Sequence, residues 1–183
     1  TTAPVTCQAW NGSTGGVLAM EVRGTLYMYD NIEVNGMGFR GGITNANVLA
    51  YNAANCGFTD YYTSASTANG AMKGEGIAKY KRNKEYARGA NANGGGGGNQ
   101  INSGGAGGAG FSLGGNGGNQ MSACPGSVQG GQGGRPAFFS HNSQKVFMGG
   151  GGGSTAGCWH VEISGCFQLS VGLEFGLAIF CQN

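Results

Sequence analysis

The sequence predicts an all-β protein in which short antiparallel strands at both termini flank an ordered glycine-rich layer. Between Gly89 and Gly157, 26 of 69 residues are glycine, and many fall into repeated Gly-Gly-X triplets. On either side, apolar and polar residues alternate with the period of two that is typical of β-strands. We therefore predict a single domain, 1–183, with β-strands at 1–42, ordered loops at 43–88, the glycine-rich layer at 89–157 and C-terminal β-strands at 158–183.

The N-terminal part shows the alternation most clearly. Even-numbered positions from Leu18 to Val34 are mostly apolar, whereas the odd positions between them carry side chains such as Glu21, Arg23 and Tyr27. This pattern predicts short strands with one buried face. A sheet of this kind can cap a glycine-rich layer.

The second part is rich in Asn, Ala, Thr and Tyr and follows neither the helical nor the strand period, so we expect long ordered loops. Its tyrosines and basic residues form a possible ligand surface for phosphate, polysaccharide or nucleic acid. A solvated surface loop is the alternative, because the basic run is short and Glu85 interrupts it. The residues of this possible ligand surface are Tyr61, Tyr62, Lys79, Lys81, Arg82, Lys84 and Arg88.

The Gly-Gly-X triplets predict extended left-handed helices of the polyglycine or polyproline II type, with three residues per turn and two bare faces. Bare faces let neighbouring backbones hydrogen-bond without an apolar core. Ordering the 14 glycines of Gly94–Gly118 costs about 7–14 kcal/mol relative to alanine, which matches a whole domain's net stability of about 5–15 kcal/mol. We therefore expect flanking strands, disulfides and other copies of the chain to hold this layer.

The C-terminal part alternates again, from Trp159 to Ile163 and from Phe167 to Phe175, and ends in an apolar stretch. It is too short and too polar to span a membrane. An apolar terminal strand in a chain with 10% charged residues is a candidate for pairing with the sheet edge of a neighbouring subunit. The alternative is a strand buried in the chain's own sheet. The predicted assembly residues are Phe167, Leu169, Val171, Leu173, Phe175, Leu177, Ile179 and Phe180.

The six cysteines form an even set without a C-x-x-C pair, which is typical of disulfides in an oxidising compartment. The start at Thr1, without Met, agrees with a removed signal peptide, so we expect a secreted or cell-surface protein. Fifteen pairings are possible, and Cys181 is a candidate for a bridge to a neighbouring subunit. The cysteines are Cys7, Cys56, Cys124, Cys158, Cys166 and Cys181.

Catalytic patterns are missing from the sequence. It contains no G-x-S-x-G, H-E-x-x-H or Walker-type motif, and His141 and His160 have no partner at a catalytic spacing. We therefore expect no enzyme, no cofactor and no metal site. The net charge of +2 predicts no dedicated polyanion partner, and hence no nucleic acid.

Four ordered motifs resemble secreted glycine-rich surface and matrix proteins of biofilm-forming and gliding bacteria. The motifs are GFRGG at 38–42, KGEGIA at 73–78, RGANANGGGG at 88–97 and KVFMGGGGG at 145–153. The resemblance implies an extracellular function without established chemistry. The glycine-rich run is also similar, in composition, to the polyglycine sandwiches of phage tail-fibre adhesins and to the glycine-rich domain of the anaplastic lymphoma kinase family.

These features favour a structural subunit that polymerises with copies of itself into an extracellular filament or matrix. A surface or phage-type adhesin that binds glycans is the alternative, and an ice-binding protein is a third hypothesis.

Overall fold

A computed structural model of the chain describes residues 3–43, 59–64, 70–99, 103–119, 130–136 and 148–156. These residues contain no helix, and therefore none able to cross a membrane. They contain isolated β-bridges but no longer strand, so the all-β class stays a prediction. The bridges are Val5–Ile32, which is parallel, and Thr63–Tyr86, Met72–Tyr86 and Asn91–Gly94, which are antiparallel.

The N-terminal part is extended, and its exposure alternates between neighbouring residues. Even positions from 18 to 34 are half-buried, apart from Gly24 and Leu26, and every odd position between them is exposed. The exposure follows the predicted alternation, but no residue of the predicted buried face is fully buried. The segment forms no ladder among the described residues, however, because its β-bridge there is the single pair Val5–Ile32 and its other backbone hydrogen bonds, such as Trp10 N to Met37 O, are isolated.

The glycine-rich run and parts of its N-terminal flank form a set of extended segments joined by backbone hydrogen bonds, which we call the glycine lattice. No residue of these segments has a positive φ. Their hydrogen bonds connect segments far apart in sequence and leave little room for side chains. The segments are 71–75, 93–98, 104–109, 114–118, 130–135 and 150–156.

Hydrogen bonds in the lattice repeat every three residues. The N–H groups of Gly95 and Gly98 donate to the same neighbour, segment 150–156, at 2.9 and 3.0 Å. The two N–H groups between them donate to segment 130–135 and to Ala87. The N–H groups of successive residues thus donate to three different neighbours, as expected for a helix with three residues per turn.

The same period recurs in segment 104–109. Its Gly104 and Gly107 donate to segment 114–118, whereas Ala106 and Ala109 donate to segment 93–98. Each segment is therefore bonded to several others at once. The lattice is held by main-chain contacts that side-chain substitutions do not directly remove.

The interior of the lattice consists of backbone. Every residue of 93–99 is buried, and the buried apolar residues of the described chain are Phe39 and five alanines. A Cβ atom added to any glycine of Gly94–Gly98 would overlap a carbonyl oxygen of a neighbouring segment. Only glycine permits this spacing, so the entropic cost of these residues is offset by the main-chain contacts that they allow.

A cluster around Glu75 fastens the N-terminal part to the lattice. The Glu75 carboxylate accepts hydrogen bonds from Trp10 Nε1 at 2.8 Å and from the guanidinium of Arg40 at 2.6 and 3.0 Å. Trp10 packs edge-on against Phe39, with ring centroids 4.9 Å apart. Burial alone would raise the pKa of Glu75, but the hydrogen bonds and charge of Arg40 lower it below its usual value.

Candidate functional site

A cavity of about 270 Å³ lies where residues 59–64, which we call the tyrosine loop, meet the lattice. The residues that line it come from four separate stretches of the chain. Backbone hydrogen bonds such as Gly89 N to Tyr61 O at 2.9 Å bring these stretches together. Its walls combine aromatic, basic and backbone groups. The lining residues are Tyr61, Tyr62, Lys73, Gly89, Ala90, Ala92, Gln132 and Arg135.

Two tyrosine rings stand at the cavity, each beside a cation. Tyr61 and Tyr62 are 53% and 55% exposed. The Lys84 ammonium lies 4.0 Å from the centre of the Tyr62 ring, and the Arg88 guanidinium lies 5.1 Å from that of Tyr61. These cation–π contacts place two positive charges next to the lining.

Lys73 places a third positive charge in the cavity wall. Its side chain is buried, and its ammonium donates a hydrogen bond to the Tyr61 carbonyl oxygen at 2.8 Å. Burial lowers its pKa to about 8, although the nearby charge of Glu85 acts in the opposite direction. Tyr80 closes this corner, because its hydroxyl donates to the Lys73 carbonyl oxygen at 2.7 Å.

Arg135 adds a fourth charge, and it is exposed. Its backbone N–H donates to Ala92 O at 2.8 Å, which fixes the residue in the lattice while the side chain remains on the surface. The cavity lining includes no Asp or Glu. The arrangement therefore suits a ligand that carries negative charge.

The structure brings together only part of the predicted ligand surface. Tyr61 and Tyr62 line the cavity, and Lys84 and Arg88 lie against their rings. The other predicted basic residues are exposed and lie outside the lining; they are Lys79, Lys81 and Arg82.

Sequence reasoning missed Lys73, Gln132 and Arg135. Lys73 stands in the KGEGIA motif, and the other two occupy the X positions of the triplets at 130–135. The X position of a Gly-Gly-X triplet is the one that carries a side chain, and this signal could have identified both.

A second feature is the outer edge of the lattice, residues 114–119. Gly115, Asn116, Gly118 and Asn119 are exposed. The N–H groups of Gly115 and Gly118 have no acceptor among the described residues, although their carbonyl oxygens accept hydrogen bonds from segment 104–109. The edge is bonded to two lattice segments, 104–109 and 130–135, and it is exposed where Gly115 and Gly118 lie.

The glycines of this edge differ from those inside the lattice. A Cβ atom added to Gly115 or Gly118 would meet no atom within 4 Å, and neither residue has a positive φ. The packing of the described chain thus gives no reason for glycine at these two positions.

Several predicted residues lie outside the described part of the chain. These are all of the predicted assembly residues from Phe167 to Phe180 and every cysteine except Cys7. Cys7 is half-buried and forms no disulfide within the described residues, so the disulfide pairing stays a prediction. Within the described ranges, no three His, Cys, Asp or Glu side chains come together as a metal site would need.

Comparison with protein-family models, with curated proteins and with solved structures finds no significant match to this chain.

Proposed function

We propose that this protein is a secreted structural subunit that assembles with copies of itself into an extracellular filament or surface matrix. The observation that supports this proposal is the outer edge of the lattice at 114–119. It is an extended backbone, exposed on one side, with glycine at positions where the described chain does not require glycine.

Glycine at Gly115 and Gly118 has a cost. Replacing glycine by alanine at a position that tolerates it stabilises a protein by about 0.4–1 kcal/mol. Inside the lattice, this cost is offset because glycine lets another backbone approach closely. At the outer edge it would be offset in the same way if a neighbouring subunit lies against the edge.

A neighbouring glycine-rich segment fits such an edge. The N–H groups of Gly115 and Gly118, which have no acceptor among the described residues, would donate to its carbonyl oxygens, as Gly95 and Gly98 do within the chain. Only 10% of the residues are charged, so repulsion between copies is weak. A contact that joins different surfaces of two copies produces an open helical fibre rather than a closed ring.

Negative-stain electron microscopy of the secreted protein, with and without reductant, tests this proposal. We expect fibres or sheets with a fixed repeat under non-reducing conditions. Dispersed single particles at every concentration would reject the proposal.

A truncation that lacks Leu177–Asn183 tests the predicted donor strand, which lies outside the described residues. We expect a folded protein that no longer polymerises, because the terminal apolar strand has been removed. Folding is checked by circular dichroism, and intact fibres from the truncated chain would exclude this segment as the donor.

Adhesion to a surface glycan is a second candidate function, and the cavity beside Tyr61 and Tyr62 favours it. Exposed aromatic rings beside basic groups are common in binding sites that need both packing and charge. A glycan array probed with the purified protein tests this function, because an adhesin retains specific glycans whereas a purely structural subunit retains none.

A further inference from the structure

We propose that the cavity between the tyrosine loop and the lattice binds an anionic sugar residue, with a carboxylate or sulfate group held by Lys73 and Arg135 of the lining, beside the positive charge of Arg88 at the Tyr61 ring. This inference rests on adhesion as the second candidate function and is independent of self-assembly.

The first argument is unbalanced buried charge. Lys73 and Arg88 are only 5% and 8% exposed, and buried charges in proteins are normally paired. The ion pairs of the described residues are Arg23–Glu21 and Arg40–Glu75, so neither buried cation has a carboxylate partner among them. The charge of Glu85 acts on Lys73 from outside the cavity lining, and an anionic ligand would add a partner in direct contact.

The second argument is the free donor capacity of these cations. Arg88 donates from Nε to Gly130 O at 3.3 Å, and its other guanidinium N–H groups make no hydrogen bond within the described residues. The side chain of Arg135 makes no hydrogen bond or ion pair within the described residues. Guanidinium groups bind carboxylate and sulfate-type oxygens through two parallel hydrogen bonds, and this geometry favours a planar or tetrahedral anion.

The third argument is the shape and lining of the cavity. Its volume of about 270 Å³ lies just below the range of about 300–1,000 Å³ that is usual for drug-sized ligands. It therefore suits one ring with its substituents. The half-exposed Tyr61 and Tyr62 rings offer apolar faces for the C–H groups of a sugar, and the Gln132 amide offers a donor and an acceptor for its hydroxyl groups.

A single sugar residue also agrees with the charge of the whole protein. The net charge is only +2, so a long-range field that attracts polyanions is absent. Two cations, Lys73 and Arg135, line the cavity, and Lys84 and Arg88 lie against its tyrosine rings. Recognition of one anionic residue in a glycan requires no more than this local cluster.

The experiment is a calorimetric titration of the full chain with three oligosaccharides of equal length. One carries glucuronic acid, one carries sulfate esters and one is neutral glucose. We expect the glucuronate or the sulfated probe, or both, to bind at least about tenfold more tightly than the neutral one, because charge-assisted hydrogen bonds are the stronger kind.

Arg135→Gln is the test variant, since this side chain is exposed and its anchoring backbone bond to Ala92 O is retained. Its matched control is Arg82→Gln, which removes an equal charge from an exposed position outside the cavity lining. We expect affinity for the anionic probe to fall about tenfold in Arg135→Gln and to stay within twofold of the parent in Arg82→Gln. Lys73 is avoided because its replacement also alters the packing.

The outcomes separate the inference from the function on which it rests. Equal binding of neutral and anionic probes would overturn the anionic ligand and leave adhesion standing. Equal losses in the two arginine variants would show binding through general surface charge and would overturn the cavity as the site. Failure of all three probes to bind, together with an empty glycan array, would overturn both.

Discussion

The inner segment 93–99 and the outer edge 114–119 are built from similar residues but stand in different surroundings. Both are glycine-rich, and both take part in hydrogen bonds with a period of three. Every residue of the inner segment is buried, whereas four of the six edge residues are exposed. The difference shows that composition does not determine why a glycine is present.

In the inner segment the chain itself requires glycine. A Cβ atom on Gly96 would overlap the Arg88 carbonyl oxygen, whereas one on Gly118 would meet no atom within 4 Å. The first glycine serves the fold of one molecule. We propose that the second serves contacts between molecules.

The largest effect on stability is expected from Gly96→Ala, which tests the claim that the inner segment requires glycine. The added methyl group must displace backbone atoms, and overpacking of this kind costs about 1–3 kcal/mol or more of the free energy of unfolding. Urea denaturation followed by circular dichroism measures the change. Gly38→Ala is the matched control, because its Cβ meets no atom within 4 Å and its φ is not positive. Equal stability of the two variants would refute the claim that the fold requires glycine in the inner segment.

Asn116→Ala and Asn119→Ala test how the edge is attached. The amide oxygens of these residues accept hydrogen bonds from the N–H groups of Gly133 and Gly130 at 2.9 and 3.0 Å. Each substitution should lower the free energy of unfolding by about 0.5–1.5 kcal/mol. Faster hydrogen exchange at Gly130 and Gly133 should accompany the loss, and unchanged exchange would show that the side chains do not hold the edge.

Acid should weaken the contacts of the Glu75 carboxylate, which lies in segment 71–75, before it affects the outer edge at 114–119. Its pKa is lowered in the folded protein, so its contribution to stability is present above the pKa of the unfolded chain. That contribution is lost as the pH falls through the lower, folded value. A partly exposed ion pair of this type is worth about 0.2–1 kcal/mol.

Glu75→Gln measures this contribution. The variant should be less stable than the parent at neutral pH, and the difference should shrink in acid. A difference that stays constant from neutral pH to below the folded pKa would show that the charge of Glu75 has no part in stability.

The smallest effect on stability is expected from Gly115→Ala and Gly118→Ala. Both positions have an ordinary φ and open space, so each change should leave the free energy of unfolding equal or raise it by up to about 1 kcal/mol. Thermal denaturation under conditions that keep the protein monomeric measures it. A clear loss of stability would show that the edge is packed within the monomer.

The sequence indicates the period of the glycine-rich run, but not which segments become neighbours. The Gly-Gly-X triplets predict a repeat of three, and the hydrogen bonds of Gly95 and Gly98 follow it. Side-chain patterns specify the register of ordinary sheets. Most residues of segments 93–98 and 150–156 are glycine, so no side-chain pattern in the sequence specifies their pairing.

The cavity could be predicted only in part, because some of its residues meet through the pairing of lattice segments. Lys84 and Arg88 are close in sequence, so their grouping could be predicted. Tyr61 and Tyr62 lie more than 20 residues before them and meet them through backbone hydrogen bonds such as Gly89 N to Tyr61 O. Arg135 lies 47 residues beyond Arg88 in the numbering of the chain and reaches the cavity only through the lattice register. The buried position of Lys73 follows from the same backbone packing.

The most direct test of the proposed account is sedimentation velocity of the double variant Gly115→Ala/Gly118→Ala beside the parent protein and Gly38→Ala. The parent and Gly38→Ala should form large assemblies, whereas the double variant should remain a folded monomer with undiminished thermal stability. Assemblies of the same size in all three proteins would contradict the claim that the edge glycines serve contacts between copies of the chain.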